Sequence, residues 1–94
     1  MFWFCAELEF RTTVAGEDGM LAESSFVLIA ADTDENAHAK ARQLGLSNQT
    51  TYLNGDGEEV RWTFTDVLEV QRIEAAAPGD GVEVFSRLRR TDSE

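Results

Sequence analysis

The chain has 94 residues and a net charge of -10, from 18 acidic and 8 basic side chains. This length predicts one domain over residues 1–94, and 43% hydrophobic with 28% charged residues is typical of a globular protein. The charge disfavours binding to nucleic acid or to an anionic membrane, because both are themselves negative. It fits either plain solubility or an acidic face that meets a basic protein.

The sequence predicts a cytoplasmic protein. Its single cysteine, Cys5, has no partner for an internal disulfide bond. No apolar run approaches the roughly 20 residues of a transmembrane helix. The first residues lack the basic start of a signal peptide, and Glu7 and Glu9 interrupt the apolar stretch that follows.

The first two elements are predicted strands. From Phe2 to Val14 every second residue except Thr12 is apolar, and this period of two indicates a half-buried strand. Two glycines in residues 15–19 indicate a hairpin loop, and Met20 to Ala31 is the second predicted strand.

Six aromatic residues are expected to fill the core under the helix: Phe2, Phe4, Phe10, Phe26, Phe64 and Trp62.

One helix is predicted, from about Asp34 to Leu44. Asp32 or Thr33 can cap its first free N–H groups. Gly45, directly after the last predicted turn, is placed as the residue that ends the helix. The apolar stripe that faces the sheet consists of Ala37, Ala41 and Leu44.

Three more strands are predicted after the helix, at Ser47–Leu53, Glu58–Glu74 and Val82–Leu88, and residues 89–94 form a polar tail that is expected to fray. Asp66 interrupts the apolar series of the long strand and indicates a bulge or a bend. That series consists of Val60, Trp62, Phe64, Leu68 and Val70. The predicted fold class is α+β: a mainly antiparallel, twisted five-stranded sheet with one helix on one face, in the order β-β-α-β-β-β.

The segment Asn54-Gly55-Asp56-Gly57-Glu58 raises the question of a cation site, because it and Glu59 carry four side-chain oxygen donors. An EF-hand loop needs about twelve residues and a closing bidentate Glu. This segment has neither that length nor that spacing. Asn-Gly and Asp-Gly pairs are strong hairpin signals, so we predict a structural turn.

Several stretches are similar to one protein family. They are Phe2-Trp3-Phe4-Cys5-Ala6-Glu7-Leu8, Val27-Leu28-Ile29-Ala30-Ala31, Ala37 with Lys40-Ala41, Tyr52-Leu53-Asn54-Gly55-Asp56-Gly57-Glu58 with Val60-Arg61-Trp62, and Asp80-Gly81-Val82-Glu83-Val84-Phe85-Ser86. Together they resemble the small, mostly bacterial proteins of domain of unknown function 4288. The resemblance supports the fold prediction and implies no activity, ligand or catalytic residue.

Two residue pairs have side chains that can take part in catalysis. Glu7 and Glu9 lie on one strand face about 6.5–7 Å apart, but alternation alone places two glutamates on a solvent face. Cys5 and His38 are the only residues of their kinds, and a nucleophilic pair would need them within hydrogen-bond reach. The sequence therefore assigns no catalytic, cofactor-binding or metal-binding residue.

One helix covers only one face of a sheet, so the other face is the candidate interaction surface. It is predicted to carry Trp3, Cys5, Glu7, Glu9, Arg11, Phe85 and Arg87, together with Ile29. We predict a non-catalytic protein-binding module, either the acidic partner of a basic protein or an immunity-type inhibitor of a toxin, and a homodimer through this face or an edge strand. The alternative is a small-ligand-binding protein or minimal enzyme with a pocket between helix and sheet, lined by Tyr52 and Trp62.

Overall fold

The structure is a computed structural model that describes residues 1–17, 19–75 and 77–91. Asp18 and Ala76, both in predicted loops, and residues 92–94 of the predicted tail lie outside the described residues. The described residues form strand β1 at Phe2–Val14, strand β2 at Leu21–Ala31, helix α1 at Asp34–Ser47, strand β3 at Thr50–Leu53 and strand β4 at Glu59–Ile73.

The strands form one antiparallel sheet in the order β2-β1-β4-β3, curled into a half-barrel. β1 therefore has a neighbour on both sides, and β2 and β3 are the two edges. The register places Phe4 opposite Ile29 on β2, and Phe10 opposite Phe64 on β4. Directly opposite residues share a face of the sheet, so the register decides which side chains meet α1.

The core lies between α1 and one face of the sheet. β1 contributes its even-numbered residues, and Phe4, Leu8 and Phe10 are the largest fully buried side chains. The helix contributes Ala37 and Ala41, both 0% exposed, because a small side chain lets a helix approach a sheet closely. The predicted start of the helix and its alanine stripe agree with the structure.

α1 begins where the sequence predicts, but it ends three residues later than predicted. The Thr33 hydroxyl accepts a hydrogen bond from the Asn36 N–H at 3.0 Å, so Thr33 is the cap. The predicted stop at Gly45 is wrong, because the helix continues to Ser47. Gly45 is buried within the helix, and its missing side chain leaves room for the ring of Phe64.

The long strand β4 carries an irregularity beside Asp66, where the sequence predicts a bulge or a bend. The pairing with β1 shifts between Glu7 and Leu8 and again between Glu9 and Phe10. These shifts place Val67 in the core at 5% exposure and leave Leu68, expected among the core-facing residues, 48% exposed.

The prediction of five strands in the order β-β-α-β-β-β is wrong. The sheet has four strands in the order β-β-α-β-β, and the described residues 82–88 form no strand. This segment lies against a face of the sheet and is held by side chains, as described below, instead of extending an edge through a backbone ladder.

The predicted orientation of β2 is also wrong. Ile29 lies opposite Phe4 and is buried in the core at 6% exposure, whereas Phe26 lies opposite Glu7 on the other face and is 49% exposed. Phe2 is on the expected face, yet it is 40% exposed, with the Arg72 guanidinium 3.7 Å from its ring centroid. The pairing register, which the sequence pattern does not reveal, causes the difference.

The molecule is more extended than its length requires. Its radius of gyration is 16.5 Å, against about 12 Å for a compact domain of this length. Its accessible surface is 6872 Å², against about 5,400 Å² for a compact monomer of this mass. Both the exposed residues 86–91 and the long strands with a single helix to pack against contribute to this excess of roughly 1,400 Å².

Candidate interaction face

The sheet has a face that points away from α1, which we call the second face. β1 contributes its odd-numbered residues to this face: Trp3, Cys5, Glu7, Glu9 and Arg11. Their neighbours on β2 include Leu28 opposite Cys5 and Phe26 opposite Glu7. On β4, Gln71 lies opposite Cys5 and Glu69 lies opposite Glu7. The predicted residues of β1 therefore share one surface.

Residues 82–88, which we call the C-terminal segment, lie across the second face. The side chain of Gln71 binds the backbone of Ser86 twice: its Nε2 donates to the Ser86 carbonyl at 2.7 Å, and its Oε1 accepts from the Ser86 N–H at 3.1 Å. The ring of Phe85 meets that of Phe26 edge-on, with 4.8 Å between centroids. The segment thus brings Phe85 and Arg87 to the surface for which the sequence proposed them.

Glu7 lies at the centre of this arrangement and is 4% exposed. Its Oε2 accepts a hydrogen bond from Ser24 Oγ at 2.6 Å, and its Oε1 accepts one from Arg87 Nη2 at 2.6 Å. The Ser24 hydrogen bond lowers the pKa of Glu7, burial opposes this, and Arg87 lowers the pKa further. The expectation that Glu7 faces solvent is wrong, because the C-terminal segment and β2 enclose it.

The guanidinium of Arg87 lies near two phenyl rings and the carboxylate of Glu7. Its central carbon is 5.9 Å from the ring centroid of Phe26 and 5.7 Å from that of Phe85, within reach of a cation–π interaction. Glu69, opposite Glu7, adds a second carboxylate to this face. Like charges directly opposite each other destabilise a sheet. A cation at this position offsets that repulsion.

Cys5 and His38 do not form a catalytic pair. Cys5 is 3% exposed on the second face, whereas the exposed His38 is on α1, on the other side of the sheet. Burial raises the pKa of the Cys5 thiol, and the negative charge of Glu7 raises it further. Cys5 is therefore a neutral thiol near pH 7, and this disfavours a nucleophilic role.

The remaining predicted surface residues lie around this centre. Glu9 accepts a hydrogen bond from Thr65 Oγ1 at 2.7 Å and lies 3.7 Å from Arg11 Nη2. Trp3 is half-buried and lies opposite Ile73. Glu7 and Glu9 are thus held by different partners, so nothing in this arrangement joins them as an acid–base pair.

The two residues of the alternative pocket lie on the core-facing side of the sheet. Tyr52 is on edge strand β3 and 53% exposed. Trp62 stacks on Phe10 with 3.8 Å between ring centroids, so its ring is part of the packing. The pocket between helix and sheet stays a prediction. A different cleft of about 380 Å³ lies beside the start of α1 and is lined by Met1, Asp32, Lys40 and neighbouring residues.

The segment from Asn54 to Glu58 is a hairpin turn between β3 and β4. The Asn54 N–H donates to the Glu58 carbonyl at 2.9 Å, and Gly57 has a φ of 78°. The Asn54 side-chain oxygen accepts from the backbone N–H groups of Asp56 and Glu58, so it serves the turn itself. Among the described residues, no three His, Cys, Asp or Glu side chains form a group that could hold a metal ion.

Sequence reasoning missed three residues of this face: Ser24, Phe26 and Gln71. Ser24 and Phe26 share a parity along β2, so assigning that strand to the correct face would have found both. Gln71 lies within a long strand and carries no such pattern. Its role depends on the position of Ser86, fifteen residues later in the chain.

Comparison with known proteins identifies a family and nothing further. The model of the family described as "Domain of unknown function (DUF4288)" matches residues 3–86 of the chain. Neither the comparison with curated proteins nor that with solved structures gives a significant match. In the described part of the chain, no helix has the length and apolar character needed to cross a membrane.

Proposed function

We propose that this chain, which belongs to the DUF4288 family, is a non-catalytic module that binds a basic protein through the second face. The observation that carries the proposal is the enclosed Glu7 carboxylate, which holds a guanidinium beside two phenyl rings. A charged hydrogen bond of this kind suits recognition of a basic side chain.

The charge and the surface of the molecule support a protein partner. The net charge of -10 attracts a basic protein over long distances. The second face also retains half-exposed apolar side chains at Phe26 and Leu28.

The chemistry around Glu7 favours binding over catalysis. The pKa of Glu7 is lowered, so the carboxylate stays ionised near neutral pH and is a poor proton donor. Both of its oxygens already accept hydrogen bonds from side chains. The nearest nucleophile along β1, Cys5, is held as a neutral thiol.

A comparison of three baits tests the proposal. The wild-type chain, a Glu7→Gln variant and a Glu23→Gln variant are immobilised, and bound proteins from a native lysate are quantified by mass spectrometry. Glu23→Gln is the matched control, because it removes the same charge from an exposed position on β2. We expect a basic protein that the wild type and Glu23→Gln retain and Glu7→Gln loses, and that binds the purified chain directly.

Recovery of the same proteins by all three baits would contradict the proposal. Circular dichroism establishes whether Glu7→Gln is folded. If it is not, Phe26→Ser replaces it, because Phe26 is half-exposed and its loss alters the second face with little effect on the core.

A further inference from the structure

We propose that the second face recognises an arginine in an extended peptide segment with an aromatic residue two positions before it, and that the C-terminal segment occupies this site until a partner displaces it. The inference rests on the proposed function and specifies the feature of the partner that is bound. The site consists of Glu7, Ser24, Phe26 and Gln71, and its resident occupant presents Phe85 and Arg87.

The geometry around Glu7 suits arginine better than lysine. Ser24 occupies one carboxylate oxygen, and the other accepts from a terminal nitrogen of Arg87. The flat guanidinium also lies within 6 Å of two ring centroids, at 5.9 and 5.7 Å. Arginine interacts with aromatic groups through its plane and is less strongly hydrated than an ammonium group, so lysine reproduces these contacts less well.

The site binds an extended segment mainly through its backbone, with one longer contact of 3.5 Å from Ser86 Oγ to Gln71 Oε1. Gln71 forms a donor and an acceptor hydrogen bond with the backbone of Ser86, as a neighbouring strand would. Any residue except proline can supply these two backbone groups. Residues two positions apart point to the same side of an extended chain, so an aromatic residue and an arginine on either side of it both reach the face.

The C-terminal segment is attached weakly enough to be displaced. The contacts described above come from the Phe85 ring, the Ser86 backbone and the Arg87 side chain, and the described residues 82–88 form no strand with the sheet. Leu88, directly after Arg87, is 100% exposed. Segments with few buried contacts open at low free-energy cost.

Covalent linkage makes this segment an effective competitor. A short flexible linker holds a tethered ligand at an effective concentration of the order of 1 mM. A partner segment therefore binds the intact chain less tightly than it binds a chain whose own segment has lost its anchors. This difference can be measured.

The test uses full-length chains and a fluorescent peptide with the sequence of residues 80–91, followed by anisotropy. The receptor with the emptied site carries Phe85→Ser and Arg87→Gln. We expect it to bind the peptide at least about tenfold more tightly than the wild type does, because the tethered competitor is weakened. Adding Glu7→Gln to this receptor should abolish binding, whereas adding Glu23→Gln should leave it unchanged.

Two altered peptides test the specificity. The peptide with Arg87→Lys should bind the emptied receptor several-fold less tightly, and the peptide with Arg87→Gln should bind hardly at all although it keeps Arg89 and Arg90. Equal binding of all three peptides would overturn the inference, because it would indicate general attraction of basic peptides to an acidic protein.

The other outcomes separate this inference from the proposed function. If the peptide binds neither receptor while a basic protein still depends on Glu7 in the bait comparison, the inference is wrong and the proposed function stands. If the peptide binds as expected and no protein depends on Glu7, the site recognises arginine and the proposed function is wrong. A wild-type dimer that Glu7→Gln dissociates would identify a second copy as the occupant and overturn the inference of a foreign segment.

Discussion

The ring of Phe64 on β4 lies against the backbone of Gly45, near the end of α1. A Cβ atom built at Gly45 would overlap that ring. In an exposed helix position the change from glycine to alanine stabilises a protein by about 1 kcal/mol. At Gly45 the overlap forces the helix or the ring to move, and overpacking of a core typically costs about 1–3 kcal/mol.

We therefore expect Gly45→Ala to lower the free energy of unfolding by about 1–2 kcal/mol, measured by urea denaturation. Combining it with Phe64→Leu should remove much of this added cost, because the smaller side chain leaves room for the methyl group. Ala39→Gly, at an exposed position of α1, measures helix propensity alone. A more stable Gly45→Ala variant would show that the ring of Phe64 has space elsewhere.

The carboxylate of Glu7 couples the stability of the fold to pH. Its pKa is lowered in the folded chain, so its ionisation stabilises the fold above the ordinary glutamate pKa of about 4.3. That contribution is lost as the pH falls through the folded-state pKa. We expect the thermal midpoint of Glu7→Gln to fall less than that of the wild type between about pH 5 and pH 3. Glu23→Gln should follow the wild type, and an unchanged slope for Glu7→Gln would show that other carboxylates dominate acid unfolding.

The sequence predicts the role of a single residue correctly where a short local pattern determines that role. Thr33 was one of two expected caps, and the turn at Asn54 follows from its own side chain and from glycine. Val67 and Leu68 show where such prediction ends. The bulge beside them exchanges their faces, and its position depends on pairing with β1, more than fifty residues earlier in the chain.

The C-terminal segment is the element that most distinguishes this fold from the predicted one. The sequence predicts a strand at Val82–Leu88. A further strand would have to pair with a free edge of the sheet. This segment instead lies on the second face, where the Gln71 side chain hydrogen-bonds to the Ser86 backbone. β1, β2 and β4 were predicted within one or two residues, because their long alternation reflects pairing that does occur.

The reactivity of Cys5 can report how often the C-terminal segment leaves the second face. Cys5 lies on the second face directly opposite Gln71 and is 3% exposed. Gln71→Met keeps the length of the side chain and removes both hydrogen bonds to Ser86. We expect the folded variant to react with a thiol reagent several-fold faster than the wild type, because the segment opens more often. Gln43→Met, on the exposed side of α1, should react at the wild-type rate.

Equal rates for all three chains would show that the C-terminal segment does not control access to the thiol. Reaction as fast as in denaturant would instead show that Gln71→Met unfolds the chain. Circular dichroism of the variant separates that case from local opening.

At the scale of the whole molecule, the sequence predicted part of the site and missed how it is assembled. Alternation along β1 was enough to place Glu7 and Cys5 on one face. The pairing of Glu7 with Arg87 joins residues eighty positions apart, and no local pattern predicts it. The excess of accessible surface is likewise a property of the folded molecule as a whole. This quantity can be calculated only when the positions of all four strands and the helix are known.

The exposed edge of strand β2 is a suitable interface for the predicted homodimer. This strand is eleven residues long and forms an edge of the sheet as described, and Leu21 near its start is 74% exposed. Two copies related by a two-fold axis can pair such edges into one continuous sheet. Each subunit has a net charge of -10, so the two copies repel each other at low ionic strength. The Debye length falls from about 10 Å at 0.1 M salt to about 3 Å at 1 M, which screens this repulsion.

We therefore expect the dimer fraction of the wild type, measured by sedimentation velocity at tens of micromolar, to rise between about 50 mM and about 500 mM salt. Binding to a basic partner should change in the opposite direction, because the same ions screen attraction between unlike charges. Ser25→Pro in the middle of β2 should reduce the dimer, and Glu7→Gln should leave it intact because Glu7 lies on the second face and not at the edge. A wild-type chain that sediments as a monomer at both salt concentrations would show that the homodimer prediction is wrong and that the exposed surface serves a different partner.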